Sequence, residues 1–213
     1  SQKAGTEIML AVNMGTRGLK AALDELEYVN GAPGTAWADQ RVANGIEEPM
    51  DIKMWCIGNE MDGGWQIGHL TAEEYGRKAR ESAKIMKMVD NSIQVTVAGS
   101  ATPEMPTFPE WDRVVLEHTY DLADYISIHR YYGYNEKVVT QKDYLHSYLD
   151  FENFIHSVVA TADYVKALKR SSKTMLLSLD EWNVWHSHSD RKIDTWDSAP
   201  HILENNYSLR DAL

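Results

Sequence analysis

The sequence has a single cysteine, Cys56, in 213 residues, which excludes an intrachain disulfide. A chain with one thiol fits a reducing compartment, and a cytoplasmic location is expected. Basic residues are scarce as well. Lys and Arg number 21 against 32 Asp and Glu, a net charge of −11. Nucleic acid calls for a basic face, so no nucleic-acid partner is expected. Long apolar runs are missing too. "IMLAV", residues 8–12, is far too short to span a bilayer, so no membrane partner is expected either. The opening "SQKAGTE" lacks the apolar region of a signal peptide. There is no low-complexity tract and no short repeat. No glycine-rich loop matches the dinucleotide or P-loop patterns, and no serine sits in a G-x-S-x-G elbow. No cofactor is implied.

What is present is an alternation. Apolar, strand-like runs occur at residues 7–13, 52–58, 93–99, 125–129 and 174–180. Helical periodicity fills the gaps, at 16–30, 71–90, 109–120 and 145–170, with a further helix start at 201–213. The 71–90 segment opens on Thr71 and Glu74, the spacing of a capping box. Strands alternating with helices imply a parallel sheet. Two architectures fit, a doubly wound sheet and a (β/α)8 barrel. Five units occupy this chain; at that rate eight would need roughly 340 residues, an ordinary size for such a barrel.

Four of the five runs end in groups able to do chemistry. These are Asn13, then Asn59 and Glu60, then His129 with Tyr131 and Tyr132, then Asp180 and Glu181. The run at 93–99 ends in the blander "AGSAT". The C-terminal ends of parallel strands are where α/β enzymes place their chemistry, although polar residues there also serve as helix caps. Two acids at two strand ends, each with tryptophans close in sequence, suit glycoside hydrolysis. One carboxyl donates a proton to the leaving oxygen; the other attacks the anomeric carbon or activates water. Trp55 and Trp65 lie near Glu60 in sequence, and an apolar wall should raise its pKa. Asp180 and Glu181 are adjacent, so strand alternation lets only one face the site, without saying which. Cys56, mid-strand, reads as a small buried hydrophobe rather than a nucleophile. "HSHSD", residues 186–190, reads as a surface loop rather than a metal site, so no metal is expected.

"WCIGNEMDGGWQIGH" and "SLDEWNVW" resemble the two catalytic segments of the family 51 glycoside hydrolases, the α-L-arabinofuranosidases. "LAVNMGTRGLKAALDELEYVNG" and "ISIHRYYGY" look like the third- and sixth-strand segments of that family. The resemblance implies a (β/α)8 barrel of which this chain supplies about five units, strands three to seven. Residues 1–213 would then be a partial catalytic domain, incomplete at both ends and without the family's β-sandwich. Such a piece should be inactive alone. The implied activity is retaining removal of terminal α-L-arabinofuranosyl groups from arabinan, arabinoxylan or their oligosaccharides. By resemblance Glu60 is the acid/base and Glu181 the nucleophile. Asn59, Tyr131, His129 and Trp185 are the candidate sugar-binding residues, and a hexamer is the implied assembly. The residues themselves also admit another retaining barrel glycosidase, such as a β-xylosidase or endo-β-glycanase. A non-catalytic carbohydrate-binding fragment is the third alternative.

Overall fold

The computed structural model describes residues 1–133 and 140–185. Five strands, β1 (Met9–Val12), β2 (Met54–Ile57), β3 (Gln94–Val97), β4 (Tyr125–Gly133) and β5 (Leu176–Trp185), form one parallel sheet. Between them lie α1 (Leu19–Asn30), α2 (Ala36–Ala43), α3 (Ala72–Val89), α4 (Glu110–Thr119), α5 (Gln141–Leu145) and α6 (Tyr148–Lys169). The strands neighbour one another in chain order. A doubly wound sheet reverses its order at a switch point, and this one does not. The sheet is therefore part of a (β/α)8 barrel.

Strand alternation explains which face is covered. Val12, Trp55, Ile57, Val95, Val97, Ile126 and Ile128 point to the convex side and are buried beneath the helices. The register puts Ala11 beside Cys56 and Cys56 beside Thr96, with Ser127 beside Ser178, on the concave side. Small and polar residues there leave room inside the curve.

The helices form where periodicity and caps agree. In α3, Thr71 and Glu74 make the expected capping box, and Tyr75, Ala79, Ala83 and Met86 form the buried stripe. Tyr75 has a second task. Its hydroxyl donates to the Ile57 carbonyl and accepts from the Ala98 amide, tying the ends of β2 and β3 together. The predicted 145–170 helix begins instead at Tyr148, after the short α5. Helix α2 has no counterpart in the sequence pattern. It is short, and its key residue is Arg41, a charged group at 0% exposure. The Arg41 guanidinium donates to four backbone carbonyls, of Tyr28, Gly31, Ile46 and Glu47. Two of those belong to the end of α1, where helix carbonyls lack partners. Among the described residues no helix is long and apolar enough to cross a membrane. The Trp185 side chain, the 186–190 loop and the 201–213 segment lie outside the described residues.

Candidate active site

Strand β2 stops at Gly58, whose φ of 83° and whose contact with Met61, 2.9 Å from where a Cβ would stand, both call for glycine. Asn59 follows, exposed, beside a cleft of about 340 Å³ that Trp65 and Gln66 also line. Glu60 then takes φ 44°, a left-handed conformation uncommon for a residue with a side chain. Such conformations cluster at functional sites. The tight turn aims the Glu60 carboxylate over the concave face. Asn13, at the end of β1, folds back instead onto its own turn through hydrogen bonds with Thr16.

Three groups converge on Glu60. The Trp65 indole donates to Oε2 at 2.6 Å, and the Gln66 amide lies at 3.4 Å from the same oxygen. His129 Nδ1 lies 3.1 Å from Oε1. On the far side, the Tyr131 hydroxyl donates to Glu181 at 3.0 Å. His129 and Tyr131 alternate along β4 and so share the concave face. A carboxylate oxygen of Glu60, one of Glu181 and a ring nitrogen of His129 all lie within 4.8 Å of one another. The two glutamates therefore face each other at the C-terminal ends of the strands, across a nearly buried histidine at 3% exposure.

Two sequence-based expectations fail here. The first concerns Asp180 and Glu181. The ladder pairs Ile128 with Leu179 and His129 with Glu181, leaving Asp180 as an extra residue in β5. This bulge breaks the alternation and brings both acids to the concave side. Asp180 Oδ1 lies 3.1 Å from His129 Nε2, and its other oxygen accepts from Ser178 at 2.9 Å. The second concerns Glu60. Burial pushes its carboxyl up, but hydrogen bonds from His129, Trp65 and Gln66, with the charge of His129, outweigh it. The net shift is below the ordinary glutamate value, not above. Trp65 acts as a donor, not as an apolar wall, and Trp55 turns to the convex side, where its indole bonds the Ile52 carbonyl.

His129 carries the compensating charge. Burial pushes the imidazole down; hydrogen bonds to Asp180 and Glu60 and the charges of Glu181 and Asp180 overcome that and carry it to about 9. Tyr131 is pushed up to about 12 by burial and by its bond to Glu181, so it stays a donor. Cys56, under Asp180 on the concave face, is pushed up to about 12 by burial first and then by Asp180. That agrees with an inert thiol. Glu60, His129 and Glu181 are close enough to share a cation, which would have to displace the proton that the surrounding acids favour on His129.

The chain matches the family model described as "Alpha-L-arabinofuranosidase 1 domain" over residues 2–150. The chain belongs to the family 51 α-L-arabinofuranosidases. A relative from Halalkalibacterium halodurans, an "Intracellular exo-alpha-(1->5)-L-arabinofuranosidase", is 52% identical over 215 residues, covering 100% of this chain and 43% of its own. Among solved structures, the family 51 enzyme AbfB of Bifidobacterium longum is 55% identical with a TM-score of 0.82, over 86% of this chain and 37% of that one. The Thermotoga maritima α-L-arabinofuranosidase arabinose complex is 37% identical with a TM-score of 0.77, over 91% and 38%. The chain thus spans less than half the length of these α-L-arabinofuranosidases. Sequence patterns single out Glu60, Glu181, Asn59, His129 and Tyr131. They miss Gln66 and the role of Asp180. Gln66 directly after Trp65 in "MDGGWQ", and the adjacency of two acids, are the signals that point to them.

Proposed function

We propose that the protein containing this chain is a retaining exo-α-L-arabinofuranosidase, with Glu60 as acid/base and Glu181 as nucleophile. The observation that carries this reading is the facing of the two carboxylates, with oxygens within 4.8 Å. Retaining glycosidases hold their carboxyl groups about 5–5.5 Å apart, whereas inverting ones need about 6.5–9.5 Å to admit a water. Glu181 attacks the anomeric carbon while Tyr131 steadies it. Glu60 protonates the leaving oxygen, then takes the proton from the water that releases the sugar. The proton that Glu60 delivers rests on His129, 3.1 Å away, and passes to Glu60 as the leaving oxygen takes it. Asn59, beside the cleft next to Glu60, is placed to bind a sugar hydroxyl, and Trp185 completes the sugar-binding set by family resemblance.

The substrate class is an arabinofuranosyl-bearing oligo- or polysaccharide. The name of the Halalkalibacterium relative favours terminal α-(1→5) linkages and an intracellular enzyme. The 1–213 segment is read as part of the catalytic barrel, and the assembly as a hexamer. The test uses the full-length protein. It should hydrolyse nitrophenyl α-L-arabinofuranoside but not the β-xyloside or β-glucoside, and NMR of the first-formed sugar should show retained configuration. Inverted product would overturn the two roles. Turnover of the β-xyloside alone would favour another barrel glycosidase, and sugar binding without turnover a binding protein.

A further inference from the structure

The turn after β3 is the bland end of the sequence pattern, yet it is pinned from three sides. Asp112, buried in α4, accepts from the Ser100 amide at 2.7 Å and from its hydroxyl at 3.2 Å. Asp62, two residues after Glu60, accepts from the Ala101 amide at 3.1 Å. Arg130 holds the third side. Its guanidinium donates to Thr102 Oγ1 at 3.4 Å and pairs with Glu104 at 2.9 Å. The same guanidinium pairs with Asp150 in the first turn of α6 and lies over the Tyr132 ring, 4.7 Å from its centroid.

Arg130 stands between His129 and Tyr131 on β4, pointing away from them. Its side chain is only 11% exposed, whereas Glu104 and Asp150 are 61% and 48% exposed, so the guanidinium is the sheltered, fixed partner to which the two outer acids come. A planar fork of five donors can bridge a turn, a helix start and an aromatic face at once; an ammonium cannot. One continuous path therefore runs from β4 through Arg130, Thr102 and Ala101 to Asp62 and the Glu60 turn. We propose that Arg130 is a positioning residue that locks the turn after β3, and with it Glu60, to the strand carrying His129 and Tyr131. This rests on the reading of Glu60 and Glu181 as the reacting pair.

The test uses the full-length protein and whichever aryl glycoside the wild type hydrolyses. Misplacing a reacting group by about 1 Å can cost roughly 100-fold. Arg130→Met should lower kcat roughly 10- to 100-fold while KM stays within about twofold, the split expected when only transition-state alignment is lost. Arg130→Lys should restore part of that, because charge returns but the fork does not. Thr102→Val with Glu104→Gln cuts the same bridge from its exposed end and should lower kcat in the same sense, which decides the matter if Arg130→Met does not fold. Arg113→Met, which breaks pairs with Glu110 and Glu117 on α4, should leave kcat unchanged. The proposal falls if the Thr102/Glu104 variant keeps wild-type kcat, if KM rises while kcat holds, or if Arg113→Met loses as much as Arg130→Met. A wild type inactive on arabinofuranosides would sink the proposed activity, while these ratios could still be read on the glycoside it accepts.

Discussion

Asp180→Asn changes one charge and little shape. His129 sits among three carboxylates, with Nε2 3.1 Å from Asp180, and Nδ1 3.1 Å from Glu60 and 3.6 Å from Glu181. These partners lift it from the ordinary 6.5 to about 9. At 1.36 kcal/mol per pKa unit that is about 3 kcal/mol of interaction, counted for a nearly buried group. The asparagine carbonyl can still accept from Nε2, but a full negative charge is gone, which should lower the histidine by about one to two units, or about 1–3 kcal/mol. The sign follows from linkage. A folded value above the unfolded one stabilises the fold fully below pH 6.5, and that stability is lost as pH rises through 9. In the variant the loss should be complete by about pH 7–8. The wild type should therefore be the more stable by about 1–3 kcal/mol near pH 6, with the gap closing toward pH 10. Denaturant midpoints of both full-length proteins across that range measure it. The alkaline limb of kcat/KM should fall by the same one to two units, since it reports the free enzyme. A gap that stays constant with pH, or an unmoved alkaline limb, would refute the claim that His129 is held as a cation.

Three further outcomes are expected. Glu60→Ala should accumulate a covalent arabinosyl-enzyme with a nitrophenyl substrate and be rescued by azide with retained configuration, whereas Glu181→Ala should give at best an inverted azide; NMR of the adducts would expose swapped roles. Arg41→Met should cost at least about 3 kcal/mol by urea denaturation, because four carbonyls lose a charged donor, and a loss under about 1 kcal/mol would mean that water replaces it freely. Cys56, with its thiol pushed up to about 12, should resist iodoacetamide at pH 8 in the native protein, and fast labelling monitored by mass would contradict its placement beneath Asp180.

Local pattern suffices for the alternation of strands and helices, the caps and the strand ends that carry chemistry. These follow from periodicity and from residue types within a few positions of one another, as Thr71 and Glu74 show. Pattern also marks acids at two strand ends, Glu60 at one and the Asp180–Glu181 pair at the other; the choice of Glu181 within that pair comes from the family resemblance. Three matters depend instead on how distant parts of the chain meet. Strand order separates a barrel from a doubly wound sheet, and no local pattern encodes which strands become neighbours. The bulge at Asp180 depends on how β5 registers against β4, so one-residue alternation points the wrong way for one of the two acids. The direction of the Glu60 shift depends on Trp65 turning its N–H toward the carboxylate and on His129 arriving 69 residues later in the chain. Periodicity reports which side of a strand a residue takes; electrostatics depends on which groups from distant strands come within about 4 Å, and that is a property of the folded sheet alone.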